Sequence, residues 1–177
     1  MDEKAFLKIK SEYEAFYREL LKKGVLPMWG TSKGFWNASI SDEVFDAFKK
    51  INLFKFKNFL DIGSGDGKVV MIASLFCRNA EGVEVDEFLH KKAEELKSKL
   101  SIKNAILHNK DFFDHDFSKY DALFLSPDVP LQRGLEKKLL KEMKGTLIHY
   151  GNHFHPNSLK KKSGFLVNGT QVGLYTK

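Results

Sequence analysis

The sequence predicts an α/β fold: a seven-stranded, mostly parallel sheet with helices on both faces and a C-terminal antiparallel hairpin. Three observations carry this reading. From residue 57 onward, short apolar runs alternate with helical segments, the pattern of parallel strands joined by helical crossovers. A glycine-rich turn, Gly63-Ser64-Gly65-Asp66-Gly67, stands between the first of these strands and the helix after it. Near the end, Asn168-Gly169 separates two apolar runs. That dipeptide is a strong hairpin signal, because both of its residues tolerate the positive φ that a two-residue turn requires.

In chain order, Phe6, Ile9, Tyr13, Phe16 and Leu20 recur at steps of three and four, which predicts an amphipathic helix over 2–23, ended by Gly24. Residues 24–38, rich in glycine and aromatics, read as a connection. Ser39 or Ser41 is placed to cap a helix whose apolar side is Val44, Phe45, Phe48 and Ile51. Residues 1–54 therefore read as an N-terminal helical extension and 55–177 as the main domain. Within that domain the strands fall at 59–62, 82–85, 105–107, 122–125 and 146–150. Residues 122–125 are continuously apolar, as in a strand buried on both faces. Helices are expected at 67–77, 87–100 and 131–143. The runs 164–167 and 171–175 form the closing hairpin, so the last strand turns against the parallel direction.

The chain has 177 residues, 42% hydrophobic and 29% charged, ordinary values for a soluble globular protein with a core of its own. Most of its 16 phenylalanines are expected in that core. The single cysteine, Cys77, cannot form an internal disulfide, which points to a reducing compartment and a cytoplasmic location. No apolar run reaches the length of a membrane span. The N-terminus carries Asp2, Glu3, Glu12, Glu14 and Glu19, unlike a signal or transit peptide. A net charge of +6 permits an acidic partner without requiring one. The lysines are scattered except for Lys160-Lys161-Lys162 and read as solvated faces. A monomer is the default.

The glycine turn carries the chemistry. Glycines there let a ligand approach the backbone closely. A dinucleotide fingerprint is spaced G-x-G-x-x-G; here the third glycine comes one residue earlier, and Asp61 and Asp66 bracket the loop. Anionic phosphates favour free backbone N–H groups and would be repelled by this pair of acids. A ligand carrying an ammonium and a sulfonium suits them, and S-adenosylmethionine is such a ligand. Asp61 can hold its ammonium, directly or through water, and the N–H groups of Gly63, Gly65 and Gly67 can receive its carboxylate, with Ser64 also a cofactor-binding candidate. Glu84, with Val85 beside it at the end of the second strand, can accept from the ribose hydroxyls. Asp111 can accept from the adenine amino group, with Phe112 packed on the ring. Each acid taken singly also fits an ordinary loop or cap carboxylate; three acids ending three successive strands point to one ligand at one rim of the sheet.

These features resemble the class I, Rossmann-like S-adenosylmethionine-dependent methyltransferases over residues 55–177. The resemblance rests on Asp61-Ile62-Gly63-Ser64-Gly65-Asp66-Gly67-Lys68, Gly82-Val83-Glu84-Val85, Asn109-Lys110-Asp111-Phe112-Phe113 and the closing hairpin. Val129-Pro130 and the helix Leu135-Glu136-Lys137-Lys138-Leu139 are similar to the small archaeal and mitochondrial protein-lysine methyltransferases. Pro27-Met28-Trp29-Gly30 loosely matches their proline–aromatic segment, with Trp29 displaced by one position. The membrane or targeting segments of the mitochondrial relatives are absent here. The resemblance implies methyl transfer to lysine side chains of protein. RNA or a small molecule is the alternative acceptor, and a non-catalytic cofactor-binding subunit is a further one.

Methyl transfer chiefly requires that a neutral nucleophile be aligned and water excluded. Trp29, Phe35 and Trp36 can wall an apolar channel that keeps a lysine amine neutral, or can simply pack. After the fourth strand, Ser126-Pro127-Asp128-Val129 replaces the paired prolines and aromatic used to grip a flipped base. Ser126 and Asp128 are the candidate catalytic residues: Ser126 to orient the nitrogen, Asp128 to bind a cationic lysine or take its proton. A plain Ser-Pro-Asp turn is the competing reading. His149, His153 and His155 lie close in sequence but lack the ligand set of a zinc site, and no metal is expected.

Overall fold

The computed structural model describes residues 2–31 and 33–177. Helix α1 (Glu3–Lys22) starts where the Asp2 carboxylate accepts from the Ala5 N–H, and it buries the five expected residues of its stripe. The segment read as a connection instead forms a small hairpin, β1 (Met28–Gly30) and β2 (Phe35–Asn37). Trp29 and Trp36 face each other across it, their ring centroids 4.3 Å apart. Three residues per strand are too few to show an alternation, so only the cross-strand aromatic pair holds them together. Helix α2 (Ser41–Lys50) is flanked at its N-terminus by Ile40 with no side-chain cap, so neither Ser39 nor Ser41 has the capping role expected of it.

Strand β3 (Asn58–Ile62) leads through the glycine turn into α3 (Lys68–Ala73), shorter than the apolar run 67–77 suggests. The apolar side chains continue inward through the turn that follows, where the Cys77 thiol is buried and donates to the Leu53 carbonyl. Next come β4 (Asn79–Glu84), α4 (Glu87–Leu100), β5 (Ala105–Asn109) and β6 (Ala122–Leu125). The helix expected at 131–143 is broken by Gly134 at φ 119°: a 3-10 turn precedes it, and α5 (Leu135–Glu142) follows. Strand β7 (Thr146–Tyr150), then β8 (Lys160–Val167) and β9 (Thr170–Thr176) complete the chain.

The large sheet has the order β5-β4-β3-β6-β7-β9-β8. The first five strands in that order are parallel, and β9 runs antiparallel between β7 and β8. All four residues of β6 are buried, as expected of a central strand. One apolar cluster joins Phe6, Tyr13 and Phe16 of α1 and Phe48 of α2 to Phe59 and Phe124 of the sheet, so residues before and after position 55 share a single core. A second cluster packs Leu135 and Leu139 of α5 on Leu60, Leu123 and Leu147. Lys160, Lys161 and Lys162 are exposed on the edge strand β8, where charge discourages pairing with another sheet.

The closing turn holds Asn168 at φ 48° and Gly169 at φ 90°, the type I′ geometry that matches strand twist. Gly169→Ala should cost about 1–2 kcal/mol through the left-handed backbone alone. A urea midpoint unchanged by that substitution would contradict the turn.

Candidate active site

The order reverses at β3, which lies between β4 and β6. Such a switch point leaves a crevice beyond the carboxyl ends of the strands. A cavity of about 790 Å³ occupies that place, and the β1–β2 hairpin closes one side of it. Ligand and cofactor sites commonly measure roughly 300–1,000 Å³, so the cavity is of cofactor size.

Asp61, the penultimate residue of β3, lines the floor and is only 3% exposed. Glu84 ends β4, and Asp66 lies in the glycine turn. Burial pushes the Asp61 carboxyl well above the usual carboxylate range, and the charges of Glu84 and Asp66 push it further. Burial likewise raises Asp66 and Glu84. Three carboxylates thus converge in a recess that favours a cationic occupant. Asp66 is held by α1: Tyr17 donates its hydroxyl to the Asp66 carboxylate, and Tyr13 donates to the Asp66 carbonyl at 2.9 Å.

The turn's amides are spent within the protein. Gly63 and Ser64 donate to the Val83 carbonyl and Gly67 to that of Ser64, while Gly65 donates to Glu84 Oε2 at 2.8 Å. The tight turn that the glycines permit engages these four N–H groups within the protein. The glycines and Ser64 contribute shape, since all but Gly67 line the cavity. Glu84 also accepts from the Asp86 N–H through Oε1 at 2.7 Å. Both of its oxygens are so oriented, and each keeps a lone pair for a ribose hydroxyl. Glu84→Gln should weaken cofactor binding roughly tenfold, the worth of a charge-assisted hydrogen bond; an unchanged calorimetric dissociation constant would reject the ribose role.

Val85 and Phe112 line the same recess. The Asn109 side chain donates to the Glu84 carbonyl at 3.0 Å, tying the ends of β4 and β5 together. Asp111 follows β5, accepts from the Phe113 N–H, and lies 3.6 Å from the Lys33 ammonium at the hairpin tip. Asp61 and Glu84 line the cavity, whereas Asp111, two residues beyond β5, does not, and only its neighbours Phe112 and Phe113 do.

Beyond β6 and β7 the cavity is more aromatic, lined by Phe35, Trp36, Phe124, Tyr150 and Phe154. Ser126 and Asp128 stand at its mouth, and the Asp128 carboxylate accepts the Phe35 N–H, holding the hairpin over the cavity. Trp29 backs Trp36 and lies against Phe88. Tyr150 donates to the buried Glu43 at 2.6 Å, and Thr170 donates to the same oxygen at 2.8 Å. Of the three histidines, only His153 lines the cavity. His149 is fully buried, 4.6 Å from the His155 ring, and burial holds its imidazole down at about 4. Away from the cavity, Glu81, His108 and His115 bring ligand-type atoms within 4.8 Å of one another, where Tyr120 bridges Glu81 and His115 through two 2.7 Å contacts.

Trp36, a candidate channel wall, lies over Gly65. Tyr17 and Glu43, which no motif contains, support the site from α1 and α2, and Lys68, the last residue of the glycine motif, lines the cavity without an expected role.

Residues 39–132, just over half of the chain, match the family described as "Histone methylation protein DOT1". The chain belongs to the DOT1 family. With that membership, this fold and this site, it is an S-adenosylmethionine-dependent methyltransferase. Comparison of the DOT1-family chain with curated proteins finds no significant match. Solved structures share its fold. An RNA methyltransferase from Salinibacter ruber, in complex with S-adenosyl-L-homocysteine, is 19% identical with a TM-score of 0.69, covering 78% of this chain and 92% of its own. The Pyrococcus abyssi tRNA (uracil-54, C5)-methyltransferase, in complex with the same product, is 15% identical with a TM-score of 0.65, covering 80% of this chain and 40% of its own. A SAM dependent methyltransferase from Aquifex aeolicus is 18% identical with a TM-score of 0.58, covering 75% and 89%.

Proposed function

We propose that this DOT1-family protein methylates lysine side chains of a protein acceptor. The observation that carries the reading is the aromatic half of the cavity, set beside the acidic half. Phe35, Trp36, Phe124, Tyr150 and Phe154 line it, and the desolvation they impose on an entering lysine favours the neutral amine needed for attack. The family's description names histone methylation, which agrees with a protein acceptor. The segment 126–129 has no paired prolines or aromatic to grip a flipped base.

When bound, S-adenosylmethionine supplies a methyl group on a sulfonium, and the C–S bonding pair leaves on sulfur as the amine lone pair forms the new C–N bond. The chain's own contribution is placement and exclusion of water. Asp61 would hold the ammonium, Glu84 the ribose, and Asp111 with Phe112 the adenine. The hairpin, latched through Phe35 and Asp128, would shield the reacting end. Ser126 would orient the incoming nitrogen, and Asp128 would attract the lysine ammonium before it sheds its proton to water.

The test is incubation with methyl-labelled cofactor and cell extract, divided between protease and ribonuclease treatment. Label lost to protease and recovered as methyl-lysine supports the proposal. Label lost to ribonuclease overturns it in favour of RNA, the acceptor named for two of the similar folds.

A further inference from the structure

We infer that Lys68 is the receptor for the α-carboxylate of the cofactor, so that the chain reads the amino-acid end as a zwitterion: Asp61 for its ammonium, Lys68 for its carboxylate. This rests on the S-adenosylmethionine reading of the cavity and goes beyond it in assigning the anionic group.

Lys68 lines the cavity yet is only 3% exposed. Its ammonium lies 4.6 Å from the centre of the Tyr17 ring and 5.9 Å from that of Tyr13. Among the described residues it has neither an ion-pair partner nor a hydrogen-bond acceptor within reach, and only the longer-range charges of Asp66 and Glu14 favour it. The neighbouring Asp66 carboxylate is engaged elsewhere, accepting the Tyr17 hydroxyl and the Lys68 main-chain N–H. Burying an unpaired ammonium is costly, and burial lowers its proton affinity accordingly. Such a cation, held on two aromatic faces beside an open cavity, is arranged for an anion arriving from that cavity.

Elimination leads to the same residue. With the amides of Gly63, Ser64, Gly65 and Gly67 committed internally, a side-chain cation is the stronger donor left for the cofactor's carboxylate. Of the cavity's other cationic side chains, Lys33 is mostly exposed and beside Asp111, at the opposite end of the site, and Arg133 is exposed. Lys68 alone of these is buried, beside Asp66 of the glycine turn. The two tyrosines beneath it come from α1, so the N-terminal helix completes the cofactor site.

The test compares three ligands by calorimetry: S-adenosylmethionine, its decarboxylated analogue, which keeps the ammonium and sulfonium, and methylthioadenosine, which lacks the whole amino-acid end. The wild-type chain should bind S-adenosylmethionine at least about tenfold more tightly than the decarboxylated analogue. Lys68→Met should erase that preference while leaving methylthioadenosine affinity within about twofold, and Lys68→Arg should restore part of it. A wild-type chain indifferent to the carboxylate overturns the assignment without any variant. So does a Lys68→Met chain that loses all three ligands alike, the mark of a structural role. Failure of the wild-type chain to bind any of the three rejects the cofactor reading itself, a different outcome.

Discussion

Asp61→Asn should weaken S-adenosylmethionine binding by about 10- to 100-fold and raise the melting temperature of the ligand-free protein by about 3–6 °C. Both effects have one cause. Burial, then Glu84 and Asp66, raise the Asp61 carboxyl in the folded state. The stability tied to a group raised in this way is fully present below its unfolded value, near 3.9. It is lost as pH climbs from there through the folded value, because the unfolded chain ionises first. At neutral pH the ligand-free fold therefore holds a carboxylate that resists ionisation, and asparagine relieves it. Binding has the opposite slope. An ammonium pairs with the ionised form, so affinity should rise as pH rises through the Asp61 titration, and the asparagine variant should lose that dependence. Calorimetry across ~pH 5 to ~7.5, with a melting curve of each ligand-free protein, reads all three quantities. Stability given up for function is common at such sites.

Gly65→Arg should abolish measurable cofactor binding while the protein remains folded. A β-carbon at Gly65 would stand 2.4 Å from Cδ1 and Nε1 of Trp36, and the residue's φ is +53°. The indole has little room to yield, with Trp29 on one side and Tyr17 on another. The arginine side chain must then enter the cavity, adding both bulk and a cation where the cofactor's own positive groups belong. The backbone costs about 1–2 kcal/mol, a modest part of the stability of a domain this size. Circular dichroism of the native type with no heat of binding is the expected pair of results. Retained binding would mean that the cofactor lies elsewhere.

The strands and their rim acids were legible because their signals are local. Apolar runs such as 122–125, the glycine turn and the Asn168-Gly169 turn each impose backbone geometry through a few adjacent residues. The same locality explains the misses. The hairpin that closes the cavity depends on Trp29 meeting Trp36 and on Asp128 reaching Phe35 across most of the chain, contacts that no periodicity encodes. Tyr17 lies outside the apolar stripe of α1, so no periodicity marks it, yet its hydroxyl holds Asp66. The break at Gly134 was hidden inside a helical pattern that continues on both sides of it. The glycine amides looked free until the structure placed the Val83 carbonyl and the Glu84 carboxylate against them. Of the three histidines close in sequence, His149 is buried on β7 against the His155 ring, and only His153 turns to the cavity.

The most direct measurement is a calorimetric titration of the wild-type chain with S-adenosylmethionine and, separately, with NAD. One saturable site for S-adenosylmethionine, absent for NAD, is the result expected of three carboxylates, two of them buried, around a glycine turn whose glycine amides are engaged within the protein. Binding of NAD in preference to S-adenosylmethionine would contradict it.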